Sequence, residues 1–168
     1  LNWNEYVKEA KKTITFDTHE KLLFCTTTGL MGEWSEFITH LQWDSEDALI
    51  GKEIGDTSWY LAILSDFLNV EIELFVWDEA ECRRDIILDG FITIGHIQET
   101  LKKVVRDNDW EIRTSETHLK LKTLLSKMYT LLLEICEDEG FNFSDILSGN
   151  IEKLADRAKR GVLQGSGD

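Results

Sequence analysis

The chain has 168 residues, 42% hydrophobic and 30% charged, which suits one domain with a substantial core and excludes a disordered tail. A formal net charge of −14 would repel a phosphate backbone, so no nucleic-acid polymer is expected as a partner. Proline is absent, and with long Leu/Ile/Glu/Lys stretches that points to an all-α protein.

Three cysteines, Cys25, Cys82 and Cys136, show neither a disulfide framework nor zinc spacing. Cys25 and Cys136 fall in apolar helical patterns and read as small core residues, and a reducing cytoplasm is the expected location. No apolar run approaches the roughly 18 residues of a membrane span, so no membrane partner is expected. The opening "LNWNEYVKEAKK" has no apolar h-region, and no secretory leader is expected in it.

Residues 4–12 read as a short charged helix. A second helix is expected over about 18–42, with Leu22, Leu23, Leu30, Phe37 and Leu41 recurring at threes and fours. Inside it, Thr26-Thr27-Thr28-Gly29 is poor helix material, and such small residues would let a neighbour approach closely. "WDSED" stops one helix and starts the next, with Asp44 or Ser45 as N-cap. The third helix is expected from about Glu46 to Leu68, its apolar face including Ile50, Ile54, Leu61, Leu64 and Leu68. Helices two and three then form an αα-hairpin over about 18–69. "VEIELFVW" alternates like a strand but has no partner strand, so residues 70–89 are expected to be irregular or partly helical. A fourth helix is expected over about 87–105 and a fifth over about 117–137, giving a second hairpin within 87–138. Gly140 marks the end of the fifth helix, Ser144 is the expected cap of the sixth, and that helix runs to about Arg160 before a glycine-bearing tail.

The feature that carries chemistry is a set of acids inside this apolar pattern. "GLMGEWSEF" places Glu33 and Glu36 three apart, and "KEIGDTSWYL" does the same with Glu53 and Asp56. Residues three apart share a helix face, and a hairpin turn near Trp43 brings the two pairs to similar heights. Glycines directly precede one acid of each pair, Gly32 before Glu33 and Gly55 before Asp56. E-x-x-E alone is common on solvated helix faces; two such pairs with short spacing and apolar flanks are not. Four converging carboxylates repel one another and need positive compensation. An all-carboxylate set with no Cys or His suits a hard cation, Mg²⁺ or Mn²⁺, which commonly shares its ligands with substrate phosphates.

These residues resemble the MazG-like all-α nucleoside triphosphate pyrophosphohydrolases, relatives of the dimeric-type dUTPases and dCTP pyrophosphatases. That signature is E-x-x-E, a spacer, then E-x-x-D, and Glu33, Glu36, Glu53 and Asp56 supply it. The end, "NIEKLADRAKRG", is also similar to the C-terminal segment of that family. The resemblance implies Mg²⁺-dependent hydrolysis of a (deoxy)nucleoside triphosphate between the α and β phosphates, giving a monophosphate and pyrophosphate. It implies Glu33, Glu36, Glu53 and Asp56 as metal ligands, and Glu33 or Glu36 as the proton acceptor for the attacking water. Phosphate charge falls to the basic tail, with Asn150, Lys153 and Arg157 on one helical face and Arg160 beyond. Lys159 and Arg160 also suit a helix C-terminus electrostatically. For the base, the resemblance implies Trp43 at the hairpin turn, and Tyr60, four residues after Asp56, shares the face of the acids. Trp34 and Trp59 read as core or interface residues.

The halves align weakly. "MGEWSEFITHLQWDSED" matches "IGHIQETLKKVVRDNDW" at an offset of 63, and "GDTSWYLAILSDFLNV" matches "LSKMYTLLLEICEDEG" at an offset of 70. Glu33 then becomes His96, Glu53 becomes Thr123 and Asp56 becomes Ser126, while Glu36 becomes Glu99. The expected fold is one domain over 1–168: a four-helix-bundle core of two antiparallel hairpins, a degenerate repeat, with terminal helices. Gln98, Lys102 or Lys122 of the second hairpin would be placed to complete the pocket. Short relatives build the bundle by dimerising, and a homodimer remains open here. Two alternatives stand beside the enzyme: a catalytically silent helical protein that binds nucleotide or acts as a regulatory partner, and a di-iron bundle. The last needs Glu-x-x-His, which the chain lacks, His40 standing four after Glu36.

Overall fold

The computed structural model describes residues 1–43, 46–78, 85–108, 111–112 and 114–163, the side chain of residue 108 excepted. The protein is all-α, with a helical-bundle core. In chain order the helices are α1 (Trp3–Ala10), α2 (His19–Gln42), α3 (Asp47–Phe67), α4 (Ile86–Asn108), α5 (Ser115–Asp138) and α6 (Phe143–Arg160). A 3₁₀ turn, Lys11–Thr13, extends α1.

Local chemistry fixes most of the helix ends. Asn2 and Glu5 form a capping box at α1, with Asn2 Oδ1 3.0 Å from the Glu5 N–H. Thr18 caps α2 through the Lys21 N–H at 3.1 Å, and Thr114 caps α5 through the Thr117 N–H at 3.1 Å. Asp85 Oδ1 accepts the Ile87 and Leu88 N–H groups at 3.0 and 3.2 Å and opens α4. The last helix departs from expectation: Asn142, not Ser144, caps α6, accepting the Asp145 N–H at 3.3 Å. Ser144 instead donates to Leu1 O at 3.1 Å, tying α6 to the start of the chain. Gly161 closes α6 at φ 72°, a left-handed C-cap that glycine adopts without strain. Glu46 stands at the start of α3 without a side-chain cap; the expected caps Asp44 and Ser45, like Cys82 and the tail glycines Gly165 and Gly167, lie outside the described residues.

The helices α2 and α3 run antiparallel, Gly29 against Tyr60 and His40 against Glu53. Helix α2 also packs on α4, α4 on α5, and α5 on α3, which closes a four-helix square. Helix α3 sits at the centre of the molecule because α1 and α6 cover its remaining face. Its buried residues therefore go round the helix, including Ile50, Ile54, Thr57, Ser58, Leu61, Ile63 and Leu64. The core adds Tyr6, Leu30, Trp34, Phe37, Ile94, Ile97, Leu121 and Leu125, all fully buried. Cys136 is buried among them, whereas Cys25 is half-buried.

Residues 70–78 form no helix and no strand, and their alternation has another origin. The segment lies extended along α5. The Glu73 N–H donates to Ser126 Oγ at 3.2 Å, the Phe75 N–H to Thr130 Oγ1 at 2.8 Å, and Trp77 Nε1 to Glu134 Oε1 at 2.8 Å. Every second residue meets every fourth residue of the helix, so a period of two is satisfied by a helix rather than a neighbouring strand. The Lys127 ammonium lies over the Phe75 ring, 4.5 Å from its centroid.

Close helix approach depends on glycine at two places. A Cβ on Gly90 of α4 would fall 2.0 Å from Trp34 Cζ2, and one on Gly29 of α2 would fall 2.3 Å from Tyr60 Cε1. In an open helix Gly→Ala would add stability, by about 1 kcal/mol. At Gly90 the sign reverses, because the fully buried Trp34 indole has no room to yield. Gly90→Ala is expected to cost roughly 1–3 kcal/mol, read as a lower midpoint in urea unfolding.

Candidate metal centre

Glu33 on α2 and Glu53 and Asp56 on α3 meet where the hairpin helices face each other. Each offers a carboxylate oxygen, and these oxygens lie within 4.8 Å of one another. Glu53 is the deepest, at 1% exposure, and its Oε2 has no hydrogen-bonding partner. Its other oxygen takes Lys52 Nζ at 2.9 Å, with His40 Nε2 3.8 Å away. Asp56 is half-buried: Oδ1 accepts Asn150 Nδ2 at 2.8 Å and the Lys153 ammonium, and Oδ2 stands 3.9 Å from Lys52 Nζ. The remaining expected ligand, Glu36, is exposed and outside the trio, although it lines the same cleft. Residues three apart stand about 60° from each other round the helix; on α2 Glu33 is half-buried toward α3, and Glu36 falls on the exposed side.

The trio fits a hard divalent cation. Ligands of Mg²⁺ at about 2.1 Å stand about 3.0 Å apart when adjacent and about 4.2 Å apart when opposite, so oxygens within 4.8 Å of one another would draw together round the ion. The donors are all oxygen, and an unpartnered, buried carboxylate oxygen is a group that a cation would satisfy.

Crowding sets the acidity. Burial first, then the Glu53 carboxylate alongside, then the charges of Asp56 and Glu36 push Glu33 up to about 8. Two carboxylates about 5 Å apart repel by about 3 kcal/mol at an effective dielectric near 20, and protonation of Glu33 relieves that. Burial, followed by the charges of Glu33 and Asp56, pushes the Tyr60 phenol up to about 12. Behind the trio, Tyr6 of α1 is held well above its usual range by burial and then by Asp56, so it remains a neutral donor.

Glu33, Glu36 and Asp56 line an open cleft of about 580 Å³, within the range of small-molecule sites. Its other walls come from the 13–17 loop, α3 and α6, and they include Thr13, Phe16, Trp59, Tyr60, Leu154 and Arg157. Trp59 Nε1 donates to Thr13 Oγ1 at 2.8 Å, which uses the indole edge and leaves its ring to the cleft. Phe16 lies 6.3 Å from it, centroid to centroid, and Tyr60 packs against it edge-on at 5.0 Å.

The expected substrate residues are distributed unevenly. Tyr60 and Arg157 line the cleft, and Lys153 reaches Asp56. Asn150 is 5% exposed and stands behind Asp56 rather than facing the cleft. Arg160 is exposed and pairs with Asp156 at 2.8 Å, away from the lining residues. Trp43, 79% exposed at the end of α2, is also outside the cleft. Trp34 is in the core as expected, but Trp59 lines the site. In the second hairpin, Gln98 donates to Thr27 O at 2.9 Å, Lys102 pairs with Glu99, and Lys122 pairs with Glu73 at 2.8 Å; none lines the cleft. Of the residues aligned with the acids, His96 and Glu99 are exposed, and Ser126 is buried under the 70–78 segment.

Sequence reading missed Phe16 and Tyr6, and Lys52, beside Glu53, suits an ordinary surface pair by sequence alone. Phe16 sits two residues before the Thr18 cap in a stretch without periodicity. Tyr6 shares the buried face of α1 with Trp3 and Ala10, a spacing of three and four that was legible.

No family profile matches the chain, and no solved structure matches it. The chain is similar to the Gene 37 protein of Mycobacterium phage L5, 34% identical over 74 residues. The match covers 44% of this chain and 64% of that protein, so the chain spans less than two thirds of the relative's length.

The Glu33 carboxyl makes stability depend on pH. Its folded value of about 8 lies above its ordinary 4.5, so the folded protein holds a proton that the unfolded chain has released. That contribution is full below about 4.5 and disappears as pH rises through about 8. In chelator, the melting temperature is expected to fall across this window, and Glu33→Gln is expected to flatten the decline. Thermal unfolding at stepped pH checks both.

Proposed function

We propose that the chain is a Mg²⁺-dependent nucleotide pyrophosphohydrolase of the MazG-like kind, splitting a (deoxy)nucleoside triphosphate into monophosphate and pyrophosphate. The observation that carries this reading is the trio of Glu33, Glu53 and Asp56 oxygens within 4.8 Å beside a cleft whose lining includes the Phe16, Trp59 and Tyr60 rings and the cations Lys52 and Arg157. The motif resemblance suggests the reaction, and the mixed aromatic and cationic lining of the cleft supports a nucleotide as the ligand.

Glu33, Glu53 and Asp56 would hold Mg²⁺, with Mn²⁺ as a substitute. The cation supplies charge neutralisation and an acidified water for attack on phosphorus. Glu36, exposed at the rim and outside the trio, would be the carboxylate free of metal ligation that accepts a proton. Lys52, Lys153 and Arg157 border the acids and would hold phosphate oxygens. The Trp59 and Phe16 rings would stack the base, with Tyr60 between base and phosphates. Backbone placement keeps these groups fixed, because Trp59 and Tyr60 follow Asp56 on the same helix.

One observation favours the silent alternative. Lys52 and Lys153 already lie against Glu53 and Asp56, so the acids have internal counter-charges. Incubation with each NTP and dNTP plus Mg²⁺ separates the two. Pyrophosphate with monophosphate supports the enzyme; nucleotide binding without turnover supports the silent protein.

Glu36→Gln is expected to lower kcat by about 10²–10⁴-fold with little change in Mn²⁺ affinity, whereas Glu53→Gln loses both turnover and metal. Calorimetry with Mn²⁺ beside a pyrophosphate assay reads this difference. Trp59→Ala is expected to raise KM for the preferred nucleotide by roughly 5- to 100-fold, the worth of one base–aromatic stack. Initial-rate kinetics at saturating metal check it, and an unchanged KM would remove Trp59 from the base site.

A further inference from the structure

We propose that Tyr6 is a positioning residue for the metal trio, acting through Asn150 on Asp56. The inference rests on the reading that the trio holds a divalent cation. Tyr6 belongs to α1, which contributes no ligand, and its side chain is 0% exposed. Its hydroxyl donates to Asn150 Oδ1 at 2.8 Å, with Gly55 O a longer 3.3 Å away. Asn150 Nδ2 in turn donates to Asp56 Oδ1 at 2.8 Å. The three residues come from α1, α6 and α3 and form one chain of hydrogen bonds.

The direction of each bond is forced. An ionised carboxylate only accepts, so the amide must present its NH₂ to Asp56. The amide oxygen then points the other way and needs a donor. Asn150 is 5% exposed, and the Tyr6 hydroxyl is the group at that oxygen. Without it, the reversed amide, which aims its oxygen at a carboxylate, would no longer be disfavoured. Gly55 makes room for the arrangement: a Cβ there would fall 3.1 Å from both Cβ and Nδ2 of Asn150. Hydrogen bonds of this outer kind hold ligating carboxylates in direction, and their loss typically costs 10–100-fold in metal affinity or activity.

Manganese alone, titrated into the full chain by calorimetry, tests this without reference to turnover. Tyr6→Phe keeps the ring and removes the hydroxyl, and it is expected to weaken Mn²⁺ binding by roughly tenfold. Asn150→Ala should weaken it as well, and adding Tyr6→Phe to Asn150→Ala should change the affinity by less than about twofold, because residues in one chain are not additive. Ala10→Gly, on the same buried face of α1, is the control: it should lower the melting temperature and leave the Mn²⁺ affinity unchanged. If Tyr6→Phe does not fold, Asn150→Ala alone carries the test, because Tyr6 reaches Asp56 through that amide, and wild-type Mn²⁺ affinity there overturns the inference. Wild-type affinity in Tyr6→Phe, or an equal loss with and without Asn150, also overturns it while leaving the metal centre intact. A wild-type chain that binds no Mn²⁺ overturns the metal centre itself, and this inference with it.

Discussion

A carboxylate removed from water must meet compensating charge or hydrogen-bond donors, and Glu53 is almost wholly buried at the centre of the protein. Much of the surrounding structure answers that requirement. Lys52 lies against one Glu53 oxygen, and His40 of the facing helix stands farther off. Glu33, opposite, shifts toward its protonated form instead of adding a second charge. Asp56 draws Lys153 and Asn150 from the last helix, and Asn150 draws Tyr6 from the first. The first and last helices are thereby joined to the acid cluster by directional contacts as well as by apolar packing. The contacts to Glu53 and Asp56 are drawn from α1, α2, α3 and α6 together, while Glu53 Oε2 is left without a partner.

The square of four helices supplies the rigidity that such a centre needs. Trp34 fills the α2–α4 contact because Gly90 leaves space for the indole. The Tyr60 ring lies close against α2 because Gly29 has no side chain. The same ring then forms part of the cleft, so one glycine contact sets both helix spacing and the shape of the site. The second hairpin contributes differently. The face that the offset alignment sets against the acids carries Ser126, and it hydrogen-bonds the extended 70–78 segment. That hairpin closes the bundle and offers no described lining residue to the cleft.

Much of the fold was legible because helices are written locally. Apolar spacing, Thr18 before α2 and Gly161 after α6 marked elements to within a few residues. One error fell where two local signals compete: Asn142 and Ser144 both suit a cap, and Asn142 took the position. "VEIELFVW" is irregular as expected, and its period of two is met by a helix presenting Ser126, Thr130 and Glu134 at every fourth residue. In the site, Glu33, Glu53 and Asp56 converge as their spacing implied. Glu36 does not join them, and Trp59 rather than Trp43 reaches the cleft.

The sequence by itself determined the helical class, the approximate helix limits and the presence of two acid pairs on a hairpin. These follow from periodicity and capping, which act over a few residues. Tertiary structure decided which acid is buried, which aromatic rings wall the cleft, and that a tyrosine on a separate helix supports the centre. Those outcomes depend on how far each helix rotates about its axis and how closely its neighbour approaches. Both are set by packing between residues distant in the chain, such as Gly29 with Tyr60 and Tyr6 with Asn150, and no local pattern encodes them.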